Sequence, residues 1–406
     1  MGMIASMDTT RSDVYYDPYD FEIDADPYPA FRRLRDEAPL YYNEQIDFYA
    51  VSRFTDVEAC SVDWQTFSSA RGSVLEIIRS GSAIPRGLFI FEDPPLHNLH
   101  RRLMARVFTP RRVALLEHSM REYCAAALDP FRGGSGFDFV RDLGADLPMR
   151  VISKMIGIPE EDQEAVRDRM DDGLRISDGR PPEFRDTAMA RQRNLLDFAP
   201  YITFRREHPA DDLMTDLIQV TFVDESGTQR HLDDDEILHY ATLLAGAGNE
   251  TTTKLIGWTG YLLGSHPDQR HALVDDRSLV PGAIEEILRY EAPSPVQARF
   301  VTRDVELHGS TVPEGSILLL LNAAANRDDR QFDDPDRFDI GRTIDHHLTF
   351  GFGLHFCMGA ALARLEGRVA LEEVLARFPD WEVDLDGAER VHTSTVRGWH
   401  RLPVVF

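Results

Sequence analysis

The chain has 406 residues, 43% of them apolar and 28% charged, and a formal net charge of −25. That length can bury a large core, and that charge argues against nucleic acid or an anionic membrane as the main partner. No apolar run reaches the roughly 20 residues needed to span a bilayer.

The N-terminus, MGMIASMDTTRSDVYYDPYD, is polar and acidic and does not read as a signal peptide. No membrane anchor is expected, and the expected location is cytoplasmic. Cys60, Cys124 and Cys357 are odd in number and scattered, which is no disulfide framework and fits a reducing compartment. Residues 1–15 read as a flexible tail and 16–406 as a single domain.

Residues 29–37 have a helical period, and Phe48–Val51 is extended. Residues 72–87 are rich in Gly, Ser and Ile without a clear period, as binding loops often are. Residues 94–220 read as mostly helical with no strand pattern, broken at 133–135, Pro159, 179–182 and Pro209.

The segment Leu232-Asp-Asp-Asp-Glu236 is an acidic helix start, with Asp233 and Glu236 spaced as a capping box. Helical periodicity then runs to Gly264, and Pro267 closes it. That is about 30 residues, or roughly 45 Å, enough to cross the molecule. Its middle reads Ala245-Gly-Ala-Gly-Asn-Glu-Thr-Thr-Thr253. Gly246 and Gly248 should cost about 1 kcal/mol each against alanine, so something must offset them.

A helix over 281–290 carries Glu286 and Arg289, three apart and so on one face. Strand-like runs follow at 298–302, 305–308 and 316–321, then an irregular stretch over 325–354 and a helix from about Cys357. Residues 396–405 read as a final hairpin. The fold class is mainly α with a minor β portion.

Cys357 sits in Phe350-Gly-Phe-Gly353-Leu-His355-Phe-Cys357-Met-Gly359-Ala-Ala-Leu-Ala-Arg364. The glycines permit a tight loop. The helical run after them puts the sulfur at a helix N-terminus, where the dipole and free N–H groups lower a thiol's pKa. Such a thiolate can ligate haem iron. From these residues alone, two alternatives stand beside it. One is a buried structural cysteine. The other is a zinc site with His346, His347 and His355, at a spacing that matches no familiar zinc pattern.

The pattern Phe350-x-x-Gly353-x-x-x-Cys357-x-Gly359 resembles the cysteine loop of the cytochrome P-450 monooxygenases. Four further segments resemble the same family in the same order. They are Asp93-Pro-Pro-Leu-His97-x-x-x-Arg101, Ala247-Gly-Asn-Glu250-Thr251-Thr252, Glu286-x-x-Arg289, and Asn326-Arg-Asp followed by Phe332-x-x-Pro335-x-Arg337-Phe338. The resemblance covers nearly the whole chain. It implies the cytochrome P-450 fold, with a long central helix over heme b (iron protoporphyrin IX) and Cys357 as the metal ligand.

It further implies that Glu250 and Thr251 are the catalytic acid–alcohol pair, with a hydroxyl and a carboxylate forming a proton relay. Thr252 and Thr253 are read instead as back-bonding within the helix. Cofactor contacts are expected at His97, Arg101, Ala247, Arg299, Phe350, Gly351, His355 and Gly359, with His97, Arg101, Arg299 and His355 facing the propionates. Glu286, Arg289 and Arg337 are expected to form a buried network that holds the cysteine loop.

The substrate pocket is expected to draw on residues 72–91 and 170–184 and on Leu88, Phe89, Ala245, Val296, Gln297, Thr395 and Val396. A largely apolar pocket suits a hydrophobic small molecule. The implied reaction inserts one oxygen atom from O2 into a lipid, terpenoid, steroid or aromatic compound. No flavin or iron–sulfur motif and no appended reductase domain is visible, so electrons are expected from NAD(P)H through a separate reductase and a ferredoxin-type partner. Arg101, Arg102, Arg106, Arg111, Arg112, Arg364 and Arg368 would gather on the cysteine side and steer an acidic donor. A monomer is expected. The alternatives are a peroxide-driven haem-thiolate enzyme and a haem-thiolate sensor without turnover.

Overall fold

A computed structural model describes residues 14–159, 161–163 and 198–406. The acidic start of the long helix forms the expected cap. The Asp233 carboxylate accepts from the Glu236 N–H at 2.8 Å, and Glu236 accepts from the Asp233 N–H at 3.0 Å. Arg230 donates to both Glu236 oxygens, at 2.6 and 2.7 Å. The helix then runs Asp234–Ser265, 32 residues, or about 48 Å, and Pro267 opens the next one, Pro267–Asp275. It is α-helical throughout, Gly246 and Gly248 included. The tightest glycine along it is Gly260, where a Cβ would lie 2.5 Å from the Phe139 ring. Absence of a side chain there lets the helix pass the turn Phe139–Gly144.

Helices Leu147–Ile156, Val280–Tyr290 and Ala360–Arg377 pack around this central helix. The main apolar core fills the space between them. A five-stranded sheet lies to one side, in the order Leu40–Asn43, Phe48–Val51, Ile317–Leu320, Gln297–Val301, Phe67–Ser68. Phe48–Val51 and Ile317–Leu320 are parallel, and the other neighbours are antiparallel. A further apolar cluster lies on each face of this sheet, as the period-2 alternation of its strands requires.

The structure corrects three expectations. Strand Gly136–Asp138 interrupts the stretch read as helical and pairs with Pro403–Val405. At Gly136 a Cβ would lie 2.0 Å from the Val404 carbonyl oxygen, so glycine alone allows the approach. Residues 396–405 are not a hairpin. Arg397–Arg401 pairs with Glu389–His392, whereas Pro403–Val405 pairs with Gly136–Asp138 and Glu382–Val383. One residue, Leu402, separates the two strands, fewer than a hairpin turn needs.

The tail also ends earlier than expected. Val14 and Tyr16 are buried with Phe31 and Phe48, and Tyr16 is tied to Tyr41 and Asn43. Residues 1–13 of the expected tail lie outside the described residues. Among the described residues no helix is long and apolar enough to cross a membrane.

Candidate active site

Cys357 lies between the 3₁₀ turn Gly353–His355 and helix Ala360–Arg377. Gly351 and Gly353 both have φ of +69°, a backbone region that favours glycine. At Gly353 a Cβ would also crowd the Ser61 carbonyl at 3.0 Å. The loop then folds back, with the Cys357 N–H donating to Phe350 O at 2.8 Å. The sulfur lies deep in the fold yet is accessible, because it opens on a cavity of ≈ 330 Å³ beside the middle of the long helix.

Burial pushes the Cys357 thiol up, while a Gly359 backbone hydrogen bond, Arg101 and Arg364 pull it down. The expected net lowering at the helix N-terminus is therefore only an opposing contribution in the protein alone. A bound metal cation deprotonates a coordinating thiol outright. Cys60 and Cys124 are pushed up to about 12 by burial and stay thiols.

One part of this cavity is cationic and polar. Arg299 is buried, donates to Ala298 O at 2.8 Å and Gln297 Oε1 at 3.2 Å, and has no ion pair among the described residues. Burial pulls it down to about 10. Arg101, also on the cavity wall, donates to Phe356 O at 2.5 Å. His355 lines the wall, and the ring of His97 packs on it at 4.4 Å.

The Nε2 atoms of His97 and His355 are buried without a partner. Burial lowers both imidazoles, helped at His355 by Arg299, and His355 is pulled down to about 2. Unpartnered buried ring nitrogens beside a guanidinium with no ion pair are costly unless an anion, by favouring the protonated rings, completes them. The propionates of a haem are such anions, so these residues fit the group implied by the cysteine loop.

The long helix supplies the facing wall through Ala247, Gly248, Thr251, Thr252 and Leu255. Thr251 Oγ1 donates back to Ala247 O at 3.0 Å. Thr253 back-bonds as expected, to Asn249 O at 3.0 Å, and also reaches Gly144 O at 2.6 Å. Thr252 departs from that expectation, since its hydroxyl bonds Glu366. Glu366 is fully buried on the cavity wall, and burial pushes its carboxyl up to about 8. The sequence reading missed it, although residues 362, 363 and 366 share one helix face by their spacing.

Glu250 does not line the cavity. Its carboxylate lies 4.0 Å from the buried Lys254 Nζ, one turn on. Thr251 and Thr252, but not Glu250, therefore face the cavity.

The predicted pocket residues divide in the same way. Phe89, Gln297 and Phe350 line the cavity with Cys357 and Gly359; Gly351 does not, being seated beside Gln297 instead. Leu88, Ala245, Val296, Thr395 and Val396 also lie outside its walls. Ala245 is two residues from Ala247, about 200° around the helix, and sits in the main core. Val296 belongs to the core beside the sheet. Leu88 is buried as the residue leading into the turn Phe89–Phe91, whose Phe89 and Ile90 face the cavity instead. The 393–396 turn folds on itself, with Thr393 Oγ1 donating to Val396 O at 2.9 Å and accepting from Val396 N. Residues 170–184 lie outside the described residues. Ser73 lines the cavity from the expected 72–91 segment, and walls that the sequence reading did not name come from Leu243, Leu244, Pro293 and Ser294.

The Glu286–Arg289 pair is fully buried and bidentate, at 2.6 and 2.7 Å. Arg289 also donates to Asn326 O and Pro335 O, both at 2.9 Å. Asn326 in turn holds Leu348 N at 2.7 Å and Thr349 Oγ1 at 2.8 Å, just before the cysteine loop. The Arg337 side chain does not join this network. It is 67% exposed beside Asp339, and only its carbonyl accepts from Arg289 and Arg342. Arg342 takes the expected place and reaches Glu286 at 3.3 Å. The zinc alternative finds no geometry, because His346 turns to Glu58 and His347 to Glu285. Among the described residues no group of three metal-ligating side chains converges.

Comparison with known proteins gives consistent findings. The family model described as Cytochrome P450 matches residues 183–395. A Mycobacterium tuberculosis protein, numbered 123 among the cytochromes P450, is 42% identical over 96% of each chain. A protein of Pseudonocardia autotrophica named vitamin D(3) 25-hydroxylase is 35% identical over 98% of each chain. The solved structure of cytochrome P450 CYP109Q5 from Chondromyces apiculatus superposes with a TM-score of 0.84 at 34% identity. It covers 96% of this chain and 97% of that one.

Proposed function

The chain belongs to the cytochrome P450 family of haem-thiolate monooxygenases, and we propose that it oxygenates a hydrophobic small molecule with Cys357 as the thiolate ligand. The observation that carries the assignment is one cavity that presents the Cys357 sulfur together with the buried Arg299, which has no ion pair among the described residues, and a His355 whose Nε2 has no partner among them. When bound, haem supplies the oxygen-activating redox chemistry, and a thiolate ligand favours O–O cleavage. Arg299, Arg101, His355 and His97 would hold its propionates through charge-assisted hydrogen bonds. Gly359 lines the same cavity as the sulfur.

Phe89, Ile90, Leu243, Leu244 and Ala247 make one side of the cavity apolar. They would bind a hydrophobic substrate and exclude water. A lipid, terpenoid, steroid or aromatic compound suits these walls, and the relative named vitamin D(3) 25-hydroxylase supports a substrate of that character. Thr251 would hold a proton at Oγ1, on the cavity wall. Glu250, turned toward Lys254, would act from behind that wall by recharging the hydroxyl through water.

Electrons would come from NAD(P)H through a ferredoxin-type partner and its reductase. Of the seven arginines expected to attract it, Arg102, Arg106 and Arg111 are exposed and free of ion pairs among the described residues. Arg112 pairs with Asp211 and Asp216, Arg364 with Glu285, and Arg368 with Glu117 and Glu372. With Arg101 drawn onto the cavity wall, the attraction would rest on the three exposed guanidiniums.

The test is substrate-dependent NAD(P)H consumption with a surrogate ferredoxin and reductase, after a screen of hydrophobic compounds for spin-state shifts. Product formation in that system is expected. Turnover with peroxide alone would favour a peroxide-driven enzyme, and no turnover in either system would favour a sensor. Cys357→Ala is expected to remove the reduced carbon monoxide band at the thiolate position; its retention would overturn the ligand assignment.

A further inference from the structure

A second cavity, of ≈ 610 Å³, shares no wall residue with the first. It opens where the end of the long helix, at Trp258 and Tyr261, meets the N-terminal segment at Tyr28 and Arg32 and strands carrying Arg390 and Arg397. Four guanidiniums line it against three carboxylates, those of Asp26, Glu291 and Asp336. On a chain of net charge −25, a local excess of cation needs a reason.

Three of the four guanidiniums have carboxylate partners. Arg327 is clamped between the rings of Tyr28 and Tyr290, at 3.3 and 3.6 Å from their centroids, and pairs with Glu291 at 3.3 Å. Arg397 pairs with Glu291 and donates to the carbonyls of Asp24 and Ala25, at 3.0 and 3.1 Å. Arg32 pairs with Asp336.

Arg390 differs. Its guanidinium sits 4.7 Å from the ring centroids of both Trp258 and Trp399, a cation–π seat that fixes its place. It donates to Ala25 O at 3.3 Å, its Nε is buried without a partner, and it has no ion pair among the described residues. Burial and the neighbouring Arg397 pull it down to about 10, and Glu291 and Asp24 only partly offset them. Tyr28, Tyr261 and Tyr290 are only half-buried and line the same space.

We infer that this cavity binds a small aromatic carboxylate, whose anion pairs with Arg390 and whose ring lies against the tyrosine walls. A guanidinium recognises a carboxylate through two parallel N–H···O bonds, and aromatic walls favour a planar body over a spherical anion.

The test uses the full-length, haem-loaded protein and calorimetric titration with 2-naphthoate, beside its neutral twin 2-naphthamide. One naphthoate per chain is expected to bind, at least tenfold more tightly than the amide, without shifting the haem Soret band. Arg390→Gln is expected to weaken naphthoate at least tenfold and leave the amide unchanged, and Arg390→Lys to weaken it less. Equal affinity of acid and amide on the unmodified protein would overturn the inference, whatever the variants do. So would a naphthoate-induced Soret shift that reports binding in the first cavity, or unchanged affinity in a folded Arg390→Gln variant.

Discussion

Replacing Glu286 with glutamine tests how the cysteine loop is held. Glu286 and Arg289 are both fully buried. The carboxylate accepts from Arg289 twice, from Asp339 N at 2.9 Å and from Arg342 at 3.3 Å. A glutamine offers one acceptor and turns an N–H₂ toward donors, leaving a buried guanidinium without its counter-charge. Breaking a buried ion pair from one side costs about 3–5 kcal/mol.

An unfolding entropy of about 2.1 cal/mol/K per residue makes roughly 0.85 kcal/mol/K for a chain of this length. The expected fall in Tm is then about 4–6 °C, read by circular dichroism on the haem-loaded protein. Arg289 also holds Asn326, and Asn326 holds 348–349, so part of the protein should lose the reduced carbon monoxide band at the thiolate position. Arg337→Ala removes a side chain that is 67% exposed. It should change stability by less than ~0.5 kcal/mol. The reasoning fails if Glu286→Gln unfolds within 1 °C of the parent, or if Arg337→Ala costs as much.

Thr251→Ala should keep the haem spectrum while diverting electrons to hydrogen peroxide, with product per NAD(P)H falling several-fold; unchanged coupling would remove Thr251 from proton handling. Glu366 has a folded pKa of about 8 against an ordinary 4.5, so between those values the folded state keeps a proton that the unfolded state has lost. Its contribution to stability is full below about 4.5 and is lost as pH rises through 8, by up to about 1.4 kcal/mol per unit. Glu366→Gln should therefore gain stability over the parent between pH 5 and 8 in thermal melts, and a constant difference across that range would contradict the shift. Gly260→Ala would drive a methyl to 2.5 Å from the Phe139 ring; a loss of about 1–3 kcal/mol by denaturant unfolding is expected, and a neutral result would show that the Phe139–Gly144 turn can yield.

Local chemistry was legible along the chain wherever a feature depends on neighbours in sequence. The cap at Asp233 and Glu236, the helix it starts and the proline that follows it are short-range hydrogen bonding and backbone geometry. The cysteine loop with its two left-handed glycines is equally local, and the Glu286–Arg289 spacing already places both groups on one face.

Tertiary packing decided what depends on distant partners. It put the expected third arginine at Arg342 rather than Arg337, because the chain after Pro335 turns Arg337 to solvent. It turned Glu250 toward Lys254, brought Glu366 to Thr252, and paired Gly136–Asp138 with Pro403–Val405 across more than 260 residues. It also set Arg390 against two tryptophans at a cavity that no motif announces. Hydrophobic period reports which face of an element is buried, but it carries no term for which polar group arrives opposite. That term is the desolvation and pairing energy of groups far apart in the chain, and it exists only once the fold has brought them together.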